Sequence, residues 1–111
     1  MRRYQKPSYT IAIIDIGNVR INALEGKVHK NGAEISLTAL EYRLLLIFGS
    51  HIGQVLTRNQ LLEQIWDVAG DFVNDNTLTV YIKRLREKLE DDPGHPVLIK
   101  TVRGLGYKAG D

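Results

Sequence analysis

Between Asn76 and Leu89, the apolar residues Leu78, Ile82, Leu85 and Leu89 recur at spacings of 4, 3 and 4. That period belongs to an amphipathic helix, and the stripe it makes is narrow. At about 100° per residue, Asn76, Val80, Lys83, Arg84 and Glu87 fall on the opposite face. Thr79 and Arg86 flank one side of the stripe, and Thr77, Tyr81 and Lys88 flank the other. The segment carries Lys83, Arg84, Arg86 and Lys88 against the single acid Glu87, and Glu90-Asp91-Asp92 follows at once. Such a helix has to be packed from one side, with a cationic face left outward. Asp75 or Asn76 suits its N-cap, and Asp92-Pro93-Gly94 ends it.

The elements around this helix are short. Thr10–Ile16 is an Ile-rich β-type run ending at Gly17-Asn18, and Val19–Leu24 alternates Val19, Ile21 and Ala23 with Arg20 and Asn22 before Gly26. Lys27–Lys30 is followed by Asn31-Gly32, a hairpin signal, since both central positions of a type I′ turn need positive φ. Ala33–Leu37 completes a four-stranded antiparallel sheet. Thr38-Ala39-Leu40-Glu41 then opens a helix with a capping-box pattern, continued by Leu44, Ile47 and Phe48 and stopping around Gly49–Gly53. Thr57-Arg58-Asn59-Gln60 repeats the device ahead of Leu61, Leu62, Ile65 and Trp66, and Asp67–Asn74 reads as a loop. After the basic helix, Val97–Val102 and Tyr107–Ala109 are joined by Arg103-Gly104-Leu105-Gly106, a tight hairpin with Arg103 at its tip. The expected class is α+β: a winged helix-turn-helix with an N-terminal four-stranded antiparallel sheet, three helices and a C-terminal β-hairpin wing.

At 111 residues the chain has room for one domain. Residues 1–9, charged, polar and interrupted by Pro7, read as a linker or tail, and 10–111 as the domain. No apolar run approaches the ~20 residues of a membrane span. The basic N-terminus is followed by a strand-like run without a small-residue cleavage pattern, so it does not read as a signal peptide. With no cysteine, disulfides and thiolate metal sites are excluded, and a reducing cytoplasm is compatible. His29, His51 and His95 are scattered over strand, helix end and loop, with no nucleophile or second ligand in motif. Gly104-Leu105-Gly106 lacks the third Gly and the following helix of a dinucleotide fingerprint. The expectation is therefore no catalysis, no cofactor and no metal.

A formal net charge of +2 says little about partners; its distribution says more. A helix can enter the major groove of DNA if its outer face carries side chains that meet base edges and phosphates. Lys and Arg supply donors for guanine and phosphate, and a small apolar side chain such as Val80 can contact a thymine methyl. A basic outer face also fits an ordinary solvated helix, and Glu87 fits that description. An exposed Val does not.

The order of these features carries a family resemblance. The motifs are Leu37-Thr38-x-x-Glu41-Tyr42-x-Leu44-Leu45, Leu56-Thr57-Arg58-x-Gln60-Leu61-Leu62-x-x-Ile65-Trp66, Ile82-x-Arg84-Leu85-Arg86-x-Lys88-Leu89, and Ile99-x-Thr101-Val102-Arg103-Gly104-Leu105-Gly106-Tyr107. Over roughly residues 10–109 the chain resembles the OmpR/PhoB-type effector domains of bacterial two-component response regulators. The resemblance implies sequence-specific binding of double-stranded DNA by a recognition helix at about 75–90. Val80, Lys83, Arg84 and Arg86 would stand at base-reading or nearby phosphate-reading positions, with Thr79 beside them. It implies phosphate contacts from Trp66, Thr77, Tyr81 and Tyr107, with Thr101 a further candidate, and a wing Arg103 that probes the minor groove. The Asp67–Asn74 loop matches the stretch that in this family can touch RNA polymerase. Asn76-Thr77-Leu78-Thr79-Val80-Tyr81 departs from the family's frequent Arg-Thr-Val-Asp-Val-His opening.

Nothing in the chain offers the acidic cluster and Lys of a phosphoacceptor site. The expectation is a C-terminal output domain whose residues 1–9 include an interdomain linker to an N-terminal receiver domain. No long apolar surface stripe remains once the core is assigned, which predicts a monomer without DNA and paired copies on direct-repeat half-sites. The competing class is a winged-helix module for protein–protein or RNA binding.

Overall fold

The computed structural model describes residues 13–69 and 75–110. Four short strands, β1 (Ile13–Ile16), β2 (Val19–Asn22), β3 (Lys27–Lys30) and β4 (Ala33–Ile35), pair antiparallel in chain order. Register places Ile14, Ile21, Val28 and Ile35 in one row across the sheet, with Ile21 and Val28 fully buried. Because side chains alternate, the next row on the other face is Asp15, Arg20, His29 and Glu34. The Asn31-Gly32 turn is as expected, with φ of 52° and 84°. Two strands are shorter than the sequence suggests. The second stops at Asn22 because its side-chain oxygen accepts the Glu25 N–H and turns the chain, and the fourth stops at Ile35 ahead of the Thr38 cap. The first begins, within the described residues, at Ile13; Thr10–Ala12 and the proposed linker 1–9 lie outside them.

Helix α1 (Ala39–Ser50) carries the expected capping box: Glu41 N–H donates to Thr38 Oγ1 at 3.2 Å, and Thr38 N–H donates to Glu41 Oε1 at 2.9 Å. Leu40, Leu44, Ile47 and Phe48 are buried, joined by Leu45. Helix α2 (Arg58–Ala69) opens on the same reciprocal pattern, Gln60 N–H to Thr57 Oγ1 at 3.1 Å and Thr57 N–H to Gln60 Oε1 at 2.8 Å. It runs through Asp67-Val68-Ala69, where the sequence suggests a loop, since no breaker precedes Gly70. The rest of that loop lies outside the described residues. Helix α3 (Asp75–Leu89) already includes both residues expected as caps, and residues 70–74 before it lie outside the described residues.

The C-terminal hairpin, β6 (Ile99–Val102) and β7 (Gly106–Ala109), is closed by Leu105 N–H donating to Val102 O at 2.9 Å. Its first strand starts two residues later than expected because the Val97 and Leu98 N–H groups donate to the Glu90 carboxylate instead of a ladder. An unforeseen two-residue strand, β5 (Val55–Leu56), pairs with β7, giving a three-stranded sheet in the order β5-β7-β6. Gly106 is what permits this approach: a Cβ there would stand 2.0 Å from Leu56 O.

Helix α1 touches β1, α2, α3 and β7, and α3 lays Leu78, Ile82, Leu85 and Leu89 into the centre with at most 1% exposure. One ion pair ties the start of α1 to the end of α3: the Lys88 ammonium donates to Oε1 of Glu41, whose side chain is buried. Burial alone would raise the Glu41 pKa and is the largest single influence. Lys88 together with the Thr38 N–H and hydroxyl outweighs it and holds the carboxyl below the ordinary range. A depressed carboxyl pKa contributes stability above the unfolded value of about 4.3 and loses it as pH falls through the folded value. Lys88→Met keeps the methylene stem and removes the charge, so it should destabilise by about 1–3 kcal/mol in urea titrations at pH 7. The gap between variant and wild type should narrow as pH falls from 7 through the depressed folded pKa to the acid limit of the folded state, where Glu41 takes up its proton. A gap of equal size at both ends of that range would show that the stem, not the ion pair, matters.

Candidate nucleic-acid interface

The face of α3 opposite its buried stripe is open. Asn76, Thr79, Lys83, Arg84 and Glu87 are exposed, and Val80 keeps 43% of its surface in solvent. Tyr81 is half-buried, and the Arg84 guanidinium carbon lies 5.2 Å from its ring centroid, within cation–π range. Thr77 is half-buried in the first turn of the helix. Arg103 and Leu105 project from the wing tip, Leu105 with 62% exposure, while Gly104 takes φ 78°, a conformation glycine adopts without a Cβ penalty.

Between helix and wing stands Tyr107 on β7, its ring buried. Two arginines approach that ring, Arg58 at 5.8 Å and Arg86 at 5.6 Å from the centroid. Arg58 Nη1 donates to the Tyr107 hydroxyl at 2.8 Å, and its Nη2 donates to Thr79 Oγ1 at 2.7 Å. Arg86 Nε donates to Ile99 O at 3.0 Å, and its Nη2 donates to Thr101 Oγ1 at 2.9 Å. Burial lowers the Arg86 pKa, with Glu90 among the groups opposing the shift; the group stays a cation at any ordinary pH. Beside this cluster, a cleft of about 270 Å³ opens between the wing and the start of α2, lined by Arg58, Thr101, Gly104, Leu105, Gly106 and Tyr107.

The structure therefore brings together Thr79, Val80, Tyr81, Lys83 and Arg84 on one exposed helix side, and Thr101 and Arg103 on the wing beside it. Arg86 and Tyr107 are turned inward and join the two. Trp66 is on α2, but its side chain lies outside the described residues. Arg58 was given no role from sequence. Its motif marks it only as the first residue of a capped helix, and its partners Thr79 and Tyr107 stand 21 and 49 residues away. The three histidines sit on β3, after α1 and after α3, and among the described residues no group of three or more His, Asp or Glu side chains is placed to hold a metal. No helix among the described residues is long and apolar enough to cross a membrane.

Three helices with a basic outer face, followed by a hairpin fastened to the third, define a winged helix-turn-helix module. Residues 32–109 match the family described as "Transcriptional regulatory protein, C terminal". The sensory transduction protein RegX3 of Mycolicibacterium smegmatis is 44% identical over 97 residues, covering 86% of this chain and 42% of that protein. The DNA-binding response regulator MtrA of Mycobacterium tuberculosis is 43% identical over 98 residues, covering 88% of this chain and 42% of its own length. Among solved structures, the response regulator DrrB of Thermotoga maritima, an OmpR/PhoB homolog, superposes with a TM-score of 0.82 at 36% identity, covering 90% of this chain and 45% of that one. The DNA-binding domain of RstA from Klebsiella pneumoniae, in complex with the RstA box, gives 0.77 at 33% identity, covering 88% of this chain and 96% of that one. The chain belongs to the OmpR/PhoB-type effector domains of bacterial response regulators. It spans less than half the length of these curated relatives.

Tyr107→Phe should remove the Arg58 hydrogen bond while keeping the ring between the two guanidinium groups, costing about 0.5–1.5 kcal/mol in urea titrations. Tyr107→Leu should cost clearly more. Equal losses would mean the hydroxyl, not the ring, anchors the wing.

Proposed function

We propose that this chain binds double-stranded DNA sequence-specifically as the C-terminal output domain of a cytoplasmic transcription factor, with α3 in the major groove and the β6–β7 wing in the minor groove. The observation that carries the reading is the division of α3: one side wholly buried, the other presenting Val80, Lys83 and Arg84 outward. The solved complex of the RstA domain with its box, at 33% identity, supports the same mode of action.

In this reading Arg84 and Lys83 meet base edges or nearby phosphates, Val80 meets a thymine methyl, and Thr79 borders the same bases. Phosphate contacts fall to Trp66, Thr77, Tyr81, Thr101 and the hydroxyl edge of Tyr107, the last two beside the cleft at the wing base. Arg103, on a narrow tip, reaches a minor groove about 6 Å wide, where A-tract narrowing strengthens the negative potential. A single module forms an interface on the order of 600–1,000 Å² of protein surface, so high affinity calls for two copies on direct-repeat half-sites and a monomer without DNA. A receiver domain N-terminal to this chain and contact of the stretch 67–74 with RNA polymerase complete the proposal. It involves no catalysis and no cofactor.

The test is binding of duplex DNA by wild type and variants at several salt concentrations. Arg84→Ala should weaken specific binding by about 1–3 kcal/mol per half-site, and Val80→Ala should chiefly change preference at one A·T pair, with melting little altered. Arg103→Ala should make the salt slope shallower by about one phosphate equivalent or less and weaken preference for A·T-rich flanks. Unchanged affinity and preference for the first two variants would take α3 out of the groove. Equal losses for Arg103→Ala on A·T-rich and G·C-rich flanks would reduce it to a phosphate contact. Salt-insensitive binding, or preference for RNA, would favour a protein-binding or RNA-binding module.

A further inference from the structure

Strand β6 lies at the edge of its sheet, so among the described residues one side of it has no strand to pair with. Arg86 of α3 and Glu90, just past its end, cover that side. Arg86 donates through Nε to Ile99 O at 3.0 Å, and through Nη2 to Thr101 Oγ1 at 2.9 Å. One helical turn further on, the buried Glu90 carboxylate accepts the N–H groups of Val97, Leu98 and Ile99, at 2.8 to 3.0 Å. Ile99 is thus gripped at its C=O by Arg86 of α3 and at its N–H by Glu90, the residue that follows the helix.

Position along the helix gives this grip a consequence. Arg86 stands about 4.5 Å along the axis from the outward-facing Lys83. It holds the hairpin at Thr101, two residues, or roughly 7 Å, below the Arg103 tip. Its guanidinium also lies 5.6 Å from the Tyr107 ring on the partner strand, and Thr101 and Tyr107 are opposite each other in the ladder. One side chain therefore fastens both strands of the wing to the helix, between the two sets of groups that face outward.

We propose that Arg86 is a positioning residue for DNA recognition. It sets the distance and angle between the reading face of α3 and the wing, so that major and minor grooves are read in one fixed register. The proposal rests on the DNA-binding reading above. It differs from a direct phosphate contact by Arg86 in what a lysine can replace. Lysine keeps the charge that a phosphate needs, but it lacks the planar fork that reaches Ile99 O and Thr101 Oγ1 together.

The test uses the preferred duplex selected from random sequence, with its A·T-rich wing tract at the native register and displaced by one or two base pairs. For wild type, displacement by one base pair should weaken binding about tenfold. Arg86→Ala and Arg86→Lys should each lose about twofold or less on displacement while keeping the base preferences of α3, and Arg86→Lys should keep the wild-type salt slope. Without DNA, hydrogen exchange at Ile99 and Leu105 should quicken in both variants while Ile82 stays protected.

Register sensitivity of wild-type size in Arg86→Ala would overturn the proposal, as would full restoration of affinity and register by Arg86→Lys, which would mark a phosphate contact. Exchange quickened uniformly, Ile82 included, would mean a general loss of stability and would also overturn it. A wild type indifferent to register would sink the wing's groove reading itself. That outcome is distinguishable, because failure of the Arg86 proposal alone leaves wild type and variants equally sensitive.

Discussion

A helix that lies in a groove can be held from one side only, and every other element of this chain answers to that constraint. The stripe of Leu78, Ile82, Leu85 and Leu89 has no residual surface to contribute elsewhere. Helices α1 and α2 supply the wall it packs on, and the N-terminal sheet supports α1 through Ile14 and Ile21, against which Gly49 presses so closely that a Cβ would stand 2.9 Å from Ile14. Burying a leucine or isoleucine side chain is worth about 1.5–3 kcal/mol, so four such residues can hold one face of a short helix without any anchor on the other. The outer face of α3 is left to solvent or to a ligand.

Charge is divided by the same logic. Along α3, Arg86 and Lys88 have acceptors inside the protein, Ile99 and Thr101 for one and Glu41 for the other. Lys83 and Arg84 point outward, with Arg103 on the adjoining wing. A net charge of +2 is therefore a poor guide to what the chain can bind. Acids such as Asp91, paired with Lys30 at 2.7 Å, and Asp15, paired with Arg20 at 2.8 Å, lie on the N-terminal sheet or beside it. The separation of internal from outward cations matters more for recognition than their sum.

Much of the architecture was legible because its causes are local. Both capping boxes join residues three apart, the Asn31-Gly32 turn is written in two adjacent residues, and each helical stripe repeats within a turn. What was not legible depends on partners far apart in sequence. Strand β5 is two residues long and has no period to detect; it exists because Gly106 lets β7 come close to Leu56. Helical spacing places Arg86 at the flank of the buried stripe, and only the arrival of Ile99 and Thr101 beside it reveals what its guanidinium holds. Arg58 and Glu90 were silent for the same reason. The outward residues Val80, Lys83 and Arg84 were legible because helical geometry alone places them opposite a stripe that must be buried.

In the proposed mode of binding, one rigid unit reads a major-groove site and an adjoining minor-groove tract. Selection of bound sequences from a random pool of duplex DNA tests it most directly, because it reports binding and site together. The expected result is enrichment of a short motif with an A·T-rich stretch at a constant offset, recovered preferentially as direct repeats. A pool that shows no enrichment, or a motif whose A·T-rich flank wanders from clone to clone, would contradict it.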